Sequence, residues 1–241
     1  MVPDWFLKRP VVNSLLDDER VCGPIEQLLG PGFSKNAGND GNFYVGDTGW
    51  HADLGWDPQI PGGKNDPHRL AGNMWAHFLP GIKVAFYLDE LTRDSGALRV
   101  IPGSHKVGEG YGNALEENVK ESSSKLGILP SEVPAEVLEI TPGDIIVFNH
   151  SIKHASFGGS GRRRMFTMNF SERYPEDKID ELRDQLGSES RFWIDRIHGE
   201  EMIRTASPER WVHLEQIRTN DTHLAALTRE RKKSMKEPSR G

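Results

Sequence analysis

Polar and apolar positions divide the chain into three stretches of different character. The stretch from Asn13 to Leu29 reads as a helix, with Asn13 or Ser14 placed to cap its start and Gly30-Pro31-Gly32 to end it. Phe33 to Gly41 is rich in Gly and Asn and reads as loop. From Asn42 onward, short apolar runs alternate with turn signals, which is the pattern of an all-β barrel or sandwich. The predicted strands are Phe43–Asp47, Trp50–Leu54, Met74–Leu79, Lys83–Asp89, Leu98–Ile101, Glu136–Ile140, Asp144–Asn149, His154–Phe157 and Met165–Ser171. Pro80-Gly81, Pro102-Gly103 and Pro142-Gly143 punctuate them as turns. Lys106 to Pro134 is polar, with Ser122-Ser123-Ser124 at its centre, and reads as a long loop, either a lid or a surface elaboration. After Ser171 the apolar residues of Asp180–Leu186, Phe192–Ile203 and Trp211–Ile217 recur at helical spacing, predicting two to four helices. The expectation is one domain over 1–241, mainly β with flanking helices: a helical segment 1–41, a β core 42–172 and a helical segment 173–241.

Composition narrows the chemistry. The single cysteine, Cys22, rules out an internal disulfide or a thiolate cluster, so a bound metal must be held by nitrogen and oxygen. Zinc-finger and iron–sulfur readings fall with it. A net charge of -6 argues against nucleic acid as a partner, and Arg229-Glu230-Arg231-Lys232-Lys233 reads as a solvated helix end. No apolar run reaches the roughly eighteen residues of a membrane span, and the first residues lack a signal peptide's apolar stretch. A cytoplasmic protein with no membrane partner is the default expectation.

Three segments carry candidate chemistry. In Trp50-His51-Ala52-Asp53-Leu54, residues two apart on a strand share a face, so His51 and Asp53 would project into one cavity. A hundred residues on, Thr141 to Ser156 runs as a turn, an apolar strand and a polar corner bearing His150 and His154. Either histidine could complete a set of two imidazoles and one carboxylate, the set that suits non-haem iron(II) with positions left open. Zinc, preferring a tetrahedral site, fits less well. The third segment is Arg162-Arg163-Arg164 leading into Met165–Phe170. Period two puts Arg163, Met165, Thr167 and Asn169 on the more polar face, so Arg163 is the arginine expected inside, able to pair with a ligand carboxylate.

Together with Asp94-Ser95-Gly96-Ala97-Leu98-Arg99-Val100-Ile101-Pro102-Gly103-Ser104-His105, these segments resemble the phytanoyl-CoA dioxygenase family of 2-oxoglutarate oxygenases. The matching elements are His51-Ala52-Asp53, Gly96 to His105, Gly143-Asp144 through Phe148 to His154, and Arg163. The resemblance implies a double-stranded β-helix, the jelly roll of cupin-like folds, with iron(II) at one mouth. It selects His154 over His150, giving His51, Asp53 and His154 as metal ligands and catalytic residues. It also implies 2-oxoglutarate and O2 as co-substrates, with Arg163 and Ser156 contacting 2-oxoglutarate, and release of succinate and carbon dioxide. His105 falls in the turn motif and is given no metal role; His68, His77, His198, His213 and His223 read as surface or core residues. Because related halogenases replace the carboxylate by Gly or Ala, an intact Asp53 favours hydroxylation, and the acidic balance with no evident phosphate cradle favours a small polar molecule or secondary metabolite over a CoA thioester. Tyr44, Trp50 and Trp56 lie near the metal motif and read as packing more readily than as substrate contacts. The alternatives are a cupin-type isomerase or hydrolase, which would not use Arg163 as a clamp, and a non-catalytic jelly-roll binding module.

Overall fold

A computed structural model describes residues 9–37, 39–43, 46–53, 81–106, 109–159 and 163–239. The predicted strand Met74–Leu79, together with Tyr44, Trp56, His68, His77, Pro80 and Arg162, lies outside them. The strands are β1 (Ser34–Lys35), β2 (Gly41–Phe43), β3 (Thr48–His51), β4 (Gly81–Tyr87), β5 (Leu98–Val100), β6 (Glu136–Leu138), β7 (Ile145–Asn149), β8 (His154–Ser156) and β9 (Arg164–Ser171). Among the described residues helix exceeds strand, so the chain is mixed helix and antiparallel sheet and not mainly β. Contacts group it into two compact units, 42–55 with 83–167, and 1–41 with 56–82 and 168–241.

The unit of 42–55 and 83–167 holds the sheet β3-β8-β5-β6, and within it β4 lies between β9 and β7, with β2 also pairing with β9. Register is fixed by Leu98↔Ser156 and Val100↔His154 on one side of β5 and by Leu98↔Leu138 on the other. Ala85 and Tyr87 of β4, Met165 of β9, Leu91, Ala97 and Ile140 form a buried core, against which Val137, Ile146 and Phe148 pack. The opposite face of the β3-β8 pair is covered as well. There Trp50, Ala155 and Phe157 pack against Val119 and Val133.

That cover corrects the reading of 106–134 as loop. It contains the helix Glu109–Lys120 and a short turn of helix, Ser122–Lys125. Leu115 and Val119, four apart, meet Trp50's cluster, and burial of this stripe outweighs the polar composition.

In the other unit β1 pairs with the end of β9, Ser34↔Ser171 and Lys35↔Phe170, where a loop was expected. The N-terminal helix is interrupted: Pro10–Asn13 gives way to a 3-10 turn, and the longer helix Glu19–Leu29 is capped by Asp18, whose side chain accepts from the Arg20 N–H. Gly30, at φ 84°, ends it as expected. Four α-helices among the described residues follow β9: Ile179–Ser188, Glu200–Arg204, Pro208–Asn220 and Leu224–Ser234. Phe192–Ile203 is not continuous, because Trp193 takes a left-handed φ of 59°. The core here is Tyr174, Leu182, Leu186, Ile197, Ile217 and Leu224. In the basic run, Arg231 is buried against Ser190 and is not solvated. No helix among the described residues is long and apolar enough to cross a membrane.

Candidate metal centre

His51, Asp53 and His154 come together in the unit of 42–55 and 83–167, one ligand atom from each lying within 4.8 Å of the others. His51 and His154 are register partners across β3 and β8. Between Thr48↔Ser156 and His51↔His154 the register shifts, three residues of β3 answering two of β8. Such a bulge re-aims side chains, so that Thr48 shares the inner side with His51 while Trp50 points out. Asp53 lies past the strand end, where its N–H donates to the His150 carbonyl at 2.9 Å.

Second contacts define which atoms are offered. The Nδ1 of His51 is 2.8 Å from the Gly49 carbonyl, and that of His154 is 2.9 Å from the Ile152 carbonyl. A carbonyl only accepts, so each Nδ1 carries a proton, and in the neutral ring Nε2 is the nitrogen with the lone pair. Those nitrogens lie 3.9 and 3.8 Å from Asp53 Oδ1 and Oδ2. That is too long for a hydrogen bond. Asp53 Oδ2 is buried with no hydrogen-bond partner, while Oδ1 accepts from Lys83 Nζ at 2.8 Å. A carboxylate with one orphaned oxygen, set within 4 Å of two imidazole nitrogens, fits a divalent ion of the kind that takes nitrogen and oxygen donors.

Electrostatics favour the neutral state of His154. Burial pushes the His154 imidazole down to about 4, with His51 and Lys83 adding to the effect and Asp53 opposing it. Burial would raise Asp53, but the charge of Lys83 and the hydrogen bond it donates, foremost among the neighbouring groups, hold its carboxyl below the usual range.

Arg163 is buried. Its guanidinium donates to Ser156 Oγ, to Thr48 Oγ1 at 3.1 Å and to the Gly46 carbonyl at 3.2 Å. Gly96 lies beside it and makes room for the Gly159 backbone: at φ 103°, a Cβ there would stand 2.8 Å from Gly159 Cα. Ser104 of the Pro102-Gly103-Ser104-His105 turn accepts from the Lys153 N–H at 2.8 Å, next to His154. The motif is thus a brace for the strand that carries His154. Arg164 turns outward to Asp89. Trp50 packs, with no side-chain face toward the cluster.

Of the other histidines, His150 is buried near Asp53, and His198 and His213 bond the Lys35 and Phe33 carbonyls. Lys83 and Thr48 were missed from the sequence. A lysine inside the apolar run Gly81–Tyr87 was the available signal for the first; the register shift hid the second.

The sequence model for "Phytanoyl-CoA dioxygenase (PhyH)" matches residues 6–165. Dioxygenase lolE1 of Epichloe uncinata is 29% identical over 103 residues, 42% of this chain and 36% of that protein, so the chain matches well under half of this relative's length. Among solved structures, apo HygX from Streptomyces hygroscopicus is 16% identical with a TM-score of 0.50, covering 72% of each chain. That likeness is one of fold. AviO1 from Streptomyces viridochromogenes Tue57 is 15% identical with a TM-score of 0.40, covering 66% of this chain and 60% of that one.

Proposed function

The chain belongs to the phytanoyl-CoA dioxygenase family, and on that premise we propose that it is an iron(II)- and 2-oxoglutarate-dependent oxygenase that hydroxylates a small molecule. His51, Asp53 and His154 are its proposed metal ligands, and the two antiparallel sheets are read as a double-stranded β-helix. The observation that carries the reading is the meeting of three ligand atoms within 4.8 Å, two of them histidine nitrogens whose rings are already oriented by backbone carbonyls. Bound iron would supply oxygen activation coupled to the decarboxylation of 2-oxoglutarate to succinate and carbon dioxide.

The chain's own residues would supply orientation. Ser156 follows His154 by two residues on β8, so the Arg163–Ser156 pair sits about 6.6 Å along the strand from the ligand histidine. That offset suits a short diacid chelated at one end and held at the other. The guanidinium fork, with the hydroxyls of Ser156 and Thr48 beside it, would receive the distal carboxylate. A neutral cupin-type isomerase would have no use for this buried cation. The intact Asp53 supports hydroxylation over halogenation.

The test is anaerobic addition of Fe(II) and 2-oxoglutarate to metal-free protein, watching for the visible charge-transfer band of the chelated co-substrate. Wild type is expected to show it and His154→Ala to lack it. Iron-loaded wild type without a band sinks the 2-oxoglutarate reading.

A further inference from the structure

Strand β4 is buried at every position from Gly81 to Tyr87, and Lys83 is its one charged residue. An ammonium taken out of water costs several kcal/mol unless it is paired, so a lysine at this place requires a partner. Asp53 is such a partner: Nζ lies 2.8 Å from Oδ1, with the lysine side chain 10% exposed. The carboxylate's two oxygens are therefore unlike. Oδ1 is held by a cation and stands 3.9 Å from His51 Nε2, and Oδ2 has no hydrogen-bond partner and stands 3.8 Å from His154 Nε2.

Resting on the metal-centre reading above, we propose that Lys83 is a built-in counter-cation of this site, a positioning residue with two effects. In the ion-free protein it neutralises a carboxylate that would otherwise be buried and uncompensated. When the ion binds, it keeps Oδ1 occupied, so that Oδ2 alone is offered and Asp53 takes up one position on the metal.

The charge of Lys83 gives one sign for its removal in both the ion-free and the ion-bound form. Without Lys83 the ion-free site holds an uncompensated charge, which destabilises that form, and the bound dication loses a repulsive neighbour. Ion binding should tighten. A lysine serving only to pack the strand would give the opposite result, since loosening β4 would loosen the site.

The experiment is titration of metal-free protein with Co(II), followed by visible absorption, alongside the melting temperature with and without cobalt. Lys83→Met is expected to bind Co(II) about tenfold tighter or more, as removal of one nearby positive charge implies. It should also melt lower when ion-free and gain more from cobalt. Lys83→Gln keeps a donor for Oδ1 without the charge, so it reads the same sign if the Met variant does not fold. Lys83→Arg retains the charge and should stay close to wild type. Equal or weaker Co(II) binding by the uncharged variants overturns the proposal while the metal centre stands. Wild type that binds Co(II) no better than His154→Ala overturns the metal centre, and the role of Lys83 with it.

Discussion

His51 and His154 face each other as register partners on β3 and β8, their ring centroids 4.2 Å apart. Residues a hundred positions apart in sequence are thus set by one antiparallel ladder, and each ring's angle is fixed by a bond to a carbonyl two residues earlier. Outer contacts of this kind are worth about 10- to 100-fold in metal affinity, so loss of a ligand itself should exceed that. His51→Ala and His154→Ala are each expected to lower Co(II) affinity by more than about 100-fold. Isothermal titration of the metal-free proteins checks this; near wild-type affinity in either variant removes that histidine from the set.

Arg163 spreads over Ser156, Thr48, Gly46 and Gly96, a pattern that needs a planar fork. Arg163→Lys keeps the charge and loses the fork. A charge-assisted bond contributes about 1.5 to 3 kcal/mol. Half-saturation by 2-oxoglutarate should accordingly rise about tenfold to a hundredfold in Arg163→Lys or Arg163→Ala. Pyruvate, a 2-oxo acid without the distal carboxylate, should bind wild type and variants alike. A parallel loss for both ligands would mean that Arg163 only supports the fold.

His51 with Asp53 is legible from strand alternation, although β3 ends at His51 and Asp53 is held in the turn beyond it by the His150 carbonyl, whereas His154 and Ser156 are legible only through the family resemblance. Seven of the nine predicted strands have observed counterparts in β3 to β9, and Met74–Leu79 lies outside the described residues. What escaped was set by tertiary contact. The register shift beside Thr48 has no local mark, and Lys83 carries meaning only once Asp53 stands next to it. The helix Glu109–Lys120 was hidden by its charged face, since its stability comes from Leu115 and Val119 meeting Trp50. Trp193 breaks an apolar helical pattern with a backbone angle that residue type does not announce.

Trp50 ties that helical cover to the metal strand. It is 1% exposed, and its indole N–H donates to the Pro130 carbonyl at 2.8 Å. Trp50→Phe removes the bond and leaves a small void where the larger indole packed, so it should cost about 1 to 3 kcal/mol of stability. Trp50→Ala opens a cavity and should cost about 3 to 5 kcal/mol. Because the next residue is His51, the alanine variant should also bind Co(II) more weakly, whereas the phenylalanine variant should not. Urea midpoints and the cobalt titration separate these outcomes, and an unchanged midpoint in Trp50→Ala would show that the cover does not brace β3.

Acid sensitivity should come partly from His198, far in sequence from the ligands. It is 1% exposed, its Nε2 is 2.8 Å from the Lys35 carbonyl, and burial, reinforced by the Lys35 charge, pushes its pKa from 6.5 down to about 3. The depressed folded-state value fixes the sign. Above pH 6.5 neither state protonates this ring; between 6.5 and 3 the unfolded chain takes up a proton that the folded one refuses, so stability is lost as pH falls. One such group contributes a slope of about 1.4 kcal/mol per pH unit. His154, down to about 4, acts in the same direction in metal-free protein, so the two must be separated by substitution. His198→Gln keeps a donor for the Lys35 carbonyl and does not titrate. Over the drop from pH 6.5 to 5, metal-free wild type should lose about 2 kcal/mol more than this variant in urea denaturation. Parallel pH profiles for the two proteins would mean that His198 already carries its proton in the fold, with the Lys35 carbonyl accepting it.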